Sequence, residues 1–397
     1  MKHFKITHQN NGQRIGELVI NNKKLETPFF YPVVSFFCGG TWKTKFGGGI
    51  YRQIKEKFLM NEKFKECFSG IMTSIAQIND FNITKRKLEE YTSKSIHEWF
   101  GFDGVLFVDS GGFKFLTNGG IKGVDFEIKN AEEVLYLQQK FGADILVSLD
   151  YPISPKLPKN ETEKRIEFSI NNAIFLLENK PKNALTYIAI HGYSKQDLMF
   201  FINKVLDGIE KNGYRLKNID GIALGSLVPI KSDVIKIIDI IKTCKEVLNE
   251  YNMSILPIHV FGISSSLIPI LITLGIDTFD SVSYIQSAIN GKCFINGFKK
   301  VGINEIKTDM CNCPICSEKN NLELMKNCKK VDSIVGSLIS MHNLATFAKE
   351  IQILKNVIKN YDEDQYINFV KKRYKHSKTI IKGICYIIRN WSGGQAS

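Results

Sequence analysis

The chain has 397 residues, 44% of them hydrophobic, with ten prolines, nine cysteines and a formal charge of +13. That composition excludes a disordered chain, and so few cysteines over this length exclude a small secreted disulfide framework. No apolar run of about 18 residues occurs, and nothing apolar follows the polar start Met1-Lys2-His3-Phe4-Lys5, so a soluble protein of a reducing cytoplasm is expected, with no membrane segment.

The basic excess points to a polyanionic partner, most simply nucleic acid, although a lysine-rich genome would produce the same bias. Residues 13–35 alternate and turn like a hairpin, with Asn21-Asn22 at the turn and a second arm from Leu25 to Val34. The stretch Gly39–Arg52 mixes glycine, aromatic and basic residues. It lacks the Gly-Lys-Ser/Thr end of a phosphate-binding P-loop, which leaves a nucleic-acid-facing flap or an ordinary loop.

From there, short β-branched runs alternate with helical patterns. The runs are Gly104–Val108, Asp144–Leu149, Thr186–Ile190, Gly221–Leu224, Ile255–Val260 and Asp277–Phe279. Helical spacing covers 131–141, 162–178, 195–212, 232–250 and 264–274. Runs apolar on both faces suit buried parallel strands, and their alternation with helices predicts βα units. With the N-terminal strands added, the economical architecture is an α/β fold of (β/α)₈ TIM-barrel type; a doubly wound open sheet is the alternative.

In such a barrel the chemistry sits where the strands end. Those ends read Asp109-Ser110-Gly111-Gly112-Phe113, Asp150-Tyr151-Pro152, His191-Gly192, Gly225-Ser226, Phe261-Gly262 and Asp280-Ser281. One aspartate closing a strand is usually a turn or helix-cap residue. Three in register, with a histidine and glycine-rich turns, point to a site.

Further on, Cys311-Asn312-Cys313-Pro314-Ile315-Cys316 places three thiols on one turn. Zn²⁺ takes four S or N ligands tetrahedrally, and a closed Cys₃His shell is structural. Spacing alone leaves His342 and Cys328 open as the fourth ligand. The C-terminal stretch is helical in pattern over Asn343–Lys359 and Gln365–Trp391. Its basic run Lys371-Lys372-Arg373-Tyr374-Lys375-His376 could track phosphates. The expected division is a barrel core over 1–305, a zinc-binding subdomain over 306–345, and basic helices packing on the barrel over 346–397.

Taken together and in this order, Asp109–Phe113, Gly221–Ser226, Phe279-Asp280-Ser281 and the cysteine cluster resemble the tRNA-guanine transglycosylase family, from roughly Arg14 to His342. The resemblance implies a (β/α)₈ barrel with a zinc-binding insertion and a pentosyltransferase that replaces guanine in nucleic acid with a 7-deazaguanine, without ATP. It implies Asp280 as nucleophile and Asp109 as general acid/base. It also implies a base pocket of Ser110, Phe113, Asp150, His191, Gly225, Ser226, Leu227 and Phe261. One structural zinc would be held by Cys311, Cys313, Cys316 and His342, with Cys328 a spare core thiol.

The departures from the family pattern set the finer expectations. His191 stands where bacterial tRNA enzymes carry glutamine. The wall Ser226-Leu227-Val228-Pro229 is similar to the archaeal and DNA-modifying branches; it offers no carboxylate to an aminomethyl group, so neutral 7-cyano-7-deazaguanine is the expected incoming base. Gln286 and Ile289 stand where bacterial enzymes read the anticodon loop with arginines. The stretch after His342 is short for the RNA-binding domains archaeal enzymes usually add. On these grounds DNA is the favoured substrate and tRNA the alternative, with helper proteins to open a duplex and a homodimer both compatible. A catalytically silent nucleic-acid-binding partner subunit is a third reading.

Overall fold

The computed structural model describes residues 3–10, 12–37, 48–306 and 311–391. Most of the Gly39–Arg52 stretch lies outside them; its end, from Gly48, opens the helix Gly48–Lys57. The chain begins with an antiparallel sheet of β1 (Phe4–Asn10), β2 (Gln13–Ile20) and β3 (Lys23–Thr27). Asn21 and Asn22 both take positive φ, 46° and 66°, between the paired residues Ile20 and Lys23. Asparagine tolerates that conformation, and the resulting turn matches the twist of a hairpin.

The predicted second arm, Leu25 to Val34, is two strands in two different sheets. Pro28 has no N–H to donate and cannot continue the ladder. Beyond it β4 (Phe29–Pro32) leaves the hairpin and opens the barrel. The other barrel strands are β5 (Gly70–Ser74), β6 (Val105–Asp109), then, past a short hairpin of β7 (Ile121–Lys122) and β8 (Glu127–Ile128), β9 (Ile145–Val147), β10 (Leu185–Ile190), β11 (Gly221–Leu224), β12 (Ile258–Val260) and β13 (Thr278–Ser281). They form one eight-stranded parallel sheet in the order β4-β13-β12-β11-β10-β9-β6-β5. A parallel bridge between Val33 and Met72, with the Val34 N–H donating to Met72 O at 2.8 Å, joins the two ends.

The helical spacings correspond to Ala131–Lys140, Lys159–Glu178, Lys195–Lys211 and Val234–Glu250; 264–274 splits into a 3₁₀ turn and Ile268–Thr273. Inside the barrel, Tyr31, Phe107, Val147, Tyr187 and Ala223 form a core separate from the strand–helix layer, and Phe4, Leu18, Ile20 and Leu25 of the hairpin join it. The hairpin therefore caps the mouth at which the strands begin.

That capped mouth is pinned by ion pairs. Asp277, Asp144 and Asp220 each stand just before a strand. Arg14 holds Asp277, with Nε 2.9 Å from Oδ1; Lys23 and His97 hold Asp144; Lys180 holds Asp220. All three carboxylates also accept backbone N–H groups of adjoining strands, at Ile258, Leu106 and Thr186.

After the barrel, β14 (Lys292–Ile295) and β15 (Lys299–Gly302) form a hairpin against the long helix Ser333–Asn360. That helix starts ten residues before the expected Asn343, because Asp332 caps it by accepting from the Val335 N–H at 2.8 Å. The expected Gln365–Trp391 pattern is two helices, Glu363–Arg373 and Lys378–Trp391. Arg373 of the basic run turns inward onto the buried Glu350, so it is an internal ion pair and not a phosphate contact. Among the described residues no helix is long and apolar enough to cross a membrane.

Candidate active site and metal centre

The end of the barrel opposite the hairpin carries Asp109 at the end of β6, Asp150 just beyond β9 and Asp280 near the end of β13. Among the described residues none of the three has a Lys or Arg partner, whereas every aspartate at the capped mouth does. Uncompensated buried carboxylates cost stability. Their clustering here is the first structural sign of chemistry.

Asp109 Oδ2 accepts from Ser74 Oγ at 2.7 Å and from the Gly111 N–H at 3.2 Å. Burial, followed by the negative charges of Asp150 and Asp280, outweighs these donors and raises its pKa to about 7. The turn after it needs both glycines. Gly111 sits at φ +75°, and a Cβ on Gly112 would lie 2.1 Å from Asp150 O and 2.3 Å from its Oδ1. The turn after β6 thus passes directly against the second carboxylate.

Asp150 accepts from Ser110 Oγ at 3.1 Å on Oδ1 and faces His191 Nε2 at 3.3 Å on Oδ2. His191 Nδ1 lies 2.8 Å from Ser226 Oγ, which also accepts from the Ile153 N–H. A Ser226 hydroxyl donating to Nδ1 leaves the proton on Nε2, a buried nitrogen without a hydrogen-bond partner that faces Asp150. Ser226 holds φ +63°, unusual for a residue with a side chain, and the Tyr193 hydroxyl lies 2.8 Å from its carbonyl oxygen and 2.9 Å from that of Ile153. His191 is fully buried behind Asp150, while Gly225 packs so closely on its ring that a Cβ would meet Cε1 at 2.5 Å. Leu227 is buried and Val228 is 49% exposed.

Asp280 Oδ1 accepts from the Gly262 N–H at 2.8 Å and lies 3.4 Å from His259 Nε2. Phe113 is 63% exposed, whereas Phe261 packs partly against the barrel core. The expected residues therefore gather at one end of the barrel. Sequence reading missed His259, whose only signal was a histidine inside an apolar strand. It also missed Ser74, on a strand that went unrecognised.

The metal-ligating set is equally compact. The ligand atoms of Cys311, Cys313, Cys316 and His342 lie within 4.8 Å of one another. The three sulfurs are 3.6, 3.5 and 3.2 Å from His342 Nδ1. Tetrahedral zinc with ordinary Zn–S and Zn–N bonds separates sulfur and nitrogen by about 3.6 Å. His342 Nε2 donates to Phe294 O at 2.7 Å, which fixes the tautomer whose Nδ1 lone pair faces the thiols. The set fits one metal ion. Cys328 stands outside it, half-buried at the edge of the core and not within it.

A cavity of about 870 Å³ lies between the capping hairpin, Cys311–Pro314 and the helix Ser333–Asn360. It includes none of the three unpaired aspartates.

One family of known proteins matches most of the chain. The family model described as queuine tRNA-ribosyltransferase matches residues 50–379. The chain is 28% identical to the tRNA-guanine(15) transglycosylase of Methanococcus aeolicus over 90% of its own length and 50% of the relative. Against the proteins of that name from Thermococcus onnurineus and Nanoarchaeum equitans it is 25% and 27% identical, over 90% and 98% of the chain and 54% and 81% of the relatives. The chain thus spans about half the length of the first two relatives.

Proposed function

Because the chain belongs to the queuine tRNA-ribosyltransferase family, a family of pentosyltransferases, we propose that it exchanges a guanine in tRNA for a 7-deazaguanine base at the open end of the barrel. The observation that carries this reading is the group of three carboxylates without cations, one poised near neutrality and one tied down by a backbone N–H.

Asp280 acts as nucleophile. Its carboxylate bonds to C1′ of the target nucleotide as the C1′–N9 bond breaks, and the departing purine receives its proton from Asp109. In the second half Asp109, now ionised, removes the proton from the incoming base, whose nitrogen attacks C1′ and releases Asp280. Two displacements at an anomeric carbon by two carboxylates retain its configuration, as in retaining glycosidases. A group with a pKa of about 7 can give and take a proton near neutrality. Asp150, oriented by Ser110 and His191, is the acceptor for the N–H edge of the base. Phe113 and Phe261 offer faces for a planar ligand, and the nucleotide must leave its stack to arrive there.

Cys311, Cys313, Cys316 and His342 would hold a structural Zn²⁺, which would clip the cysteine turn to the helix Ser333–Asn360 and supply cross-linking, not reactivity. For the incoming base we propose the neutral 7-cyano form, since Val228 and Pro229 present no carboxylate to an ammonium. The expectation of DNA as favoured substrate gives way here. The Val-Pro wall is similar to the archaeal branch as well, and the relatives above are named as tRNA enzymes.

The test is incorporation of labelled guanine by purified protein into bulk tRNA and, in parallel, into plasmid DNA, with Asp280→Ala as control. Label in tRNA that vanishes in the Asp280→Ala protein is the expected result. Label in DNA alone would overturn the choice of tRNA. Label in neither would overturn base exchange by this chain.

A further inference from the structure

We propose that His259 is a positioning residue for the nucleophile: its Nε2–H holds Asp280 Oδ1 so that Oδ2 is the oxygen that attacks C1′. The inference rests on the base-exchange reading and goes beyond it.

β12 is three residues long, and strand alternation sends Ile258 and Val260 into the layer between strands and helices. His259 points the other way, into the barrel. Its ring is fully buried, 4.8 Å from Phe107 and 4.7 Å from Phe261 between ring centres, with Tyr31 at 6.0 Å. An aliphatic or phenyl side chain would fill such a place without stripping water from two ring nitrogens. The imidazole is instead aimed at polar atoms on both sides. Nδ1 lies 3.0 Å from Thr278 Oγ1, while Nε2 is a buried nitrogen without a hydrogen-bond partner whose facing group is Asp280 Oδ1 at 3.4 Å.

The identity of the neighbours fixes the proton. Burial lowers the pKa of His259, so the ring is neutral and carries one N–H. A lone pair turned toward a carboxylate would repel it. The N–H is therefore on Nε2, and the Thr278 hydroxyl donates to Nδ1. Asp280 Oδ1 is then hydrogen-bonded by the Gly262 N–H and faced by the His259 Nε2–H, while Oδ2 has no hydrogen-bond partner among the described residues. A neutral donor orients the carboxylate without cancelling the charge it needs for attack. Positioning by His259 requires this 3.4 Å separation to shorten to a hydrogen bond as substrate draws the carboxylate into line. The same device stands behind the neighbouring carboxylate, where His191 faces a hydroxyl through Nδ1 and Asp150 through Nε2.

The experiment compares wild type, His259→Phe, His259→Gln and Thr278→Val in the labelled-guanine assay, with thermal denaturation of each. Loss of the donor in His259→Phe is expected to lower kcat by about 10- to 100-fold, the scale of a misplaced reacting group. KM for guanine and for nucleic acid should stay within about twofold, because Asp150 and the pocket are untouched. Gln, which can offer an amide N–H in place of Nε2–H, should recover most of the loss. If His259→Phe does not fold, Thr278→Val decides, since it removes only the hydroxyl that sets the tautomer; it too should lower kcat and spare KM. Wild-type kcat in the folded Phe variant, or a rise in KM alone, overturns the proposal. An inactive wild type would instead overturn the base-exchange reading, and this proposal with it.

Discussion

Gly112 lies against Asp150 so closely that a single added carbon would fall 2.1 Å from its carbonyl oxygen. The glycine follows Asp109, the proposed general acid/base, by three residues and touches the residue proposed to bind the base. Any side chain there must displace Asp150 or the turn that carries Asp109. Gly112→Ala is expected to destabilise the protein by about 1–3 kcal/mol, the usual cost of overpacking, and to raise KM for guanine. Urea denaturation and guanine exchange kinetics check both, and a variant with unchanged KM would contradict the placement.

Asp109 carries the pH dependence. Burial and two neighbouring carboxylates raise its pKa from 3.8 to about 7 in the folded protein. The folded state therefore binds this proton more tightly than the unfolded chain does. The stability it contributes is full below the ordinary carboxylate range and is lost as pH rises through about 7. Asp109→Asn, which is never charged, should be more stable than wild type at pH 8 by up to about 4 kcal/mol, with the difference gone below about pH 4. It should also be inactive. In the wild type, the base-releasing step should slow as pH rises above about 7, because the acid is then ionised. Thermal melts at the two pH values and a single-turnover pH profile are the measurements.

Asp277 at the capped mouth should matter for stability and not for base binding. Asp277 exists to hold Arg14 and the N–H of Ile258. Asp277→Ala leaves a buried guanidinium without its partner, at a cost of about 3–5 kcal/mol. The molecules that remain folded should show an unchanged KM for guanine. A specific loss of base binding without a loss of stability would contradict the division between the two ends of the barrel.

Removal of one thiolate should unclip the cysteine turn. Cys313→Ser is expected to lose bound metal and soluble yield before any catalytic defect appears, since the set lies beside Phe294 and the long helix and away from the three aspartates. Metal analysis of the purified variant checks this. A stable, metal-free, active protein would refute the structural role.

What the sequence determined by itself was whatever local spacing encodes. Alternation of apolar runs with helical patterns is a short-range property, and it was enough to predict a barrel. The three carboxylates at strand ends, and a cysteine turn with a histidine downstream, were equally visible because each is written within a few residues of a strand or turn. Tertiary structure decided the rest. Phe29–Pro32 was hidden in a hairpin arm and Gly70–Ser74 went unseen, because only the closed sheet supplies their partners. Asp277 and Asp280 lie three residues apart, one just before β13 and one near its end, yet one is a structural anchor and the other the proposed nucleophile. The difference is Arg14, which is 263 residues away in the chain and reaches only one end of the barrel. His259 follows the same logic: in the sequence it interrupts an apolar strand, and its meaning comes from the barrel interior, where a neutral imidazole faces one of the three carboxylates that have no Lys or Arg partner.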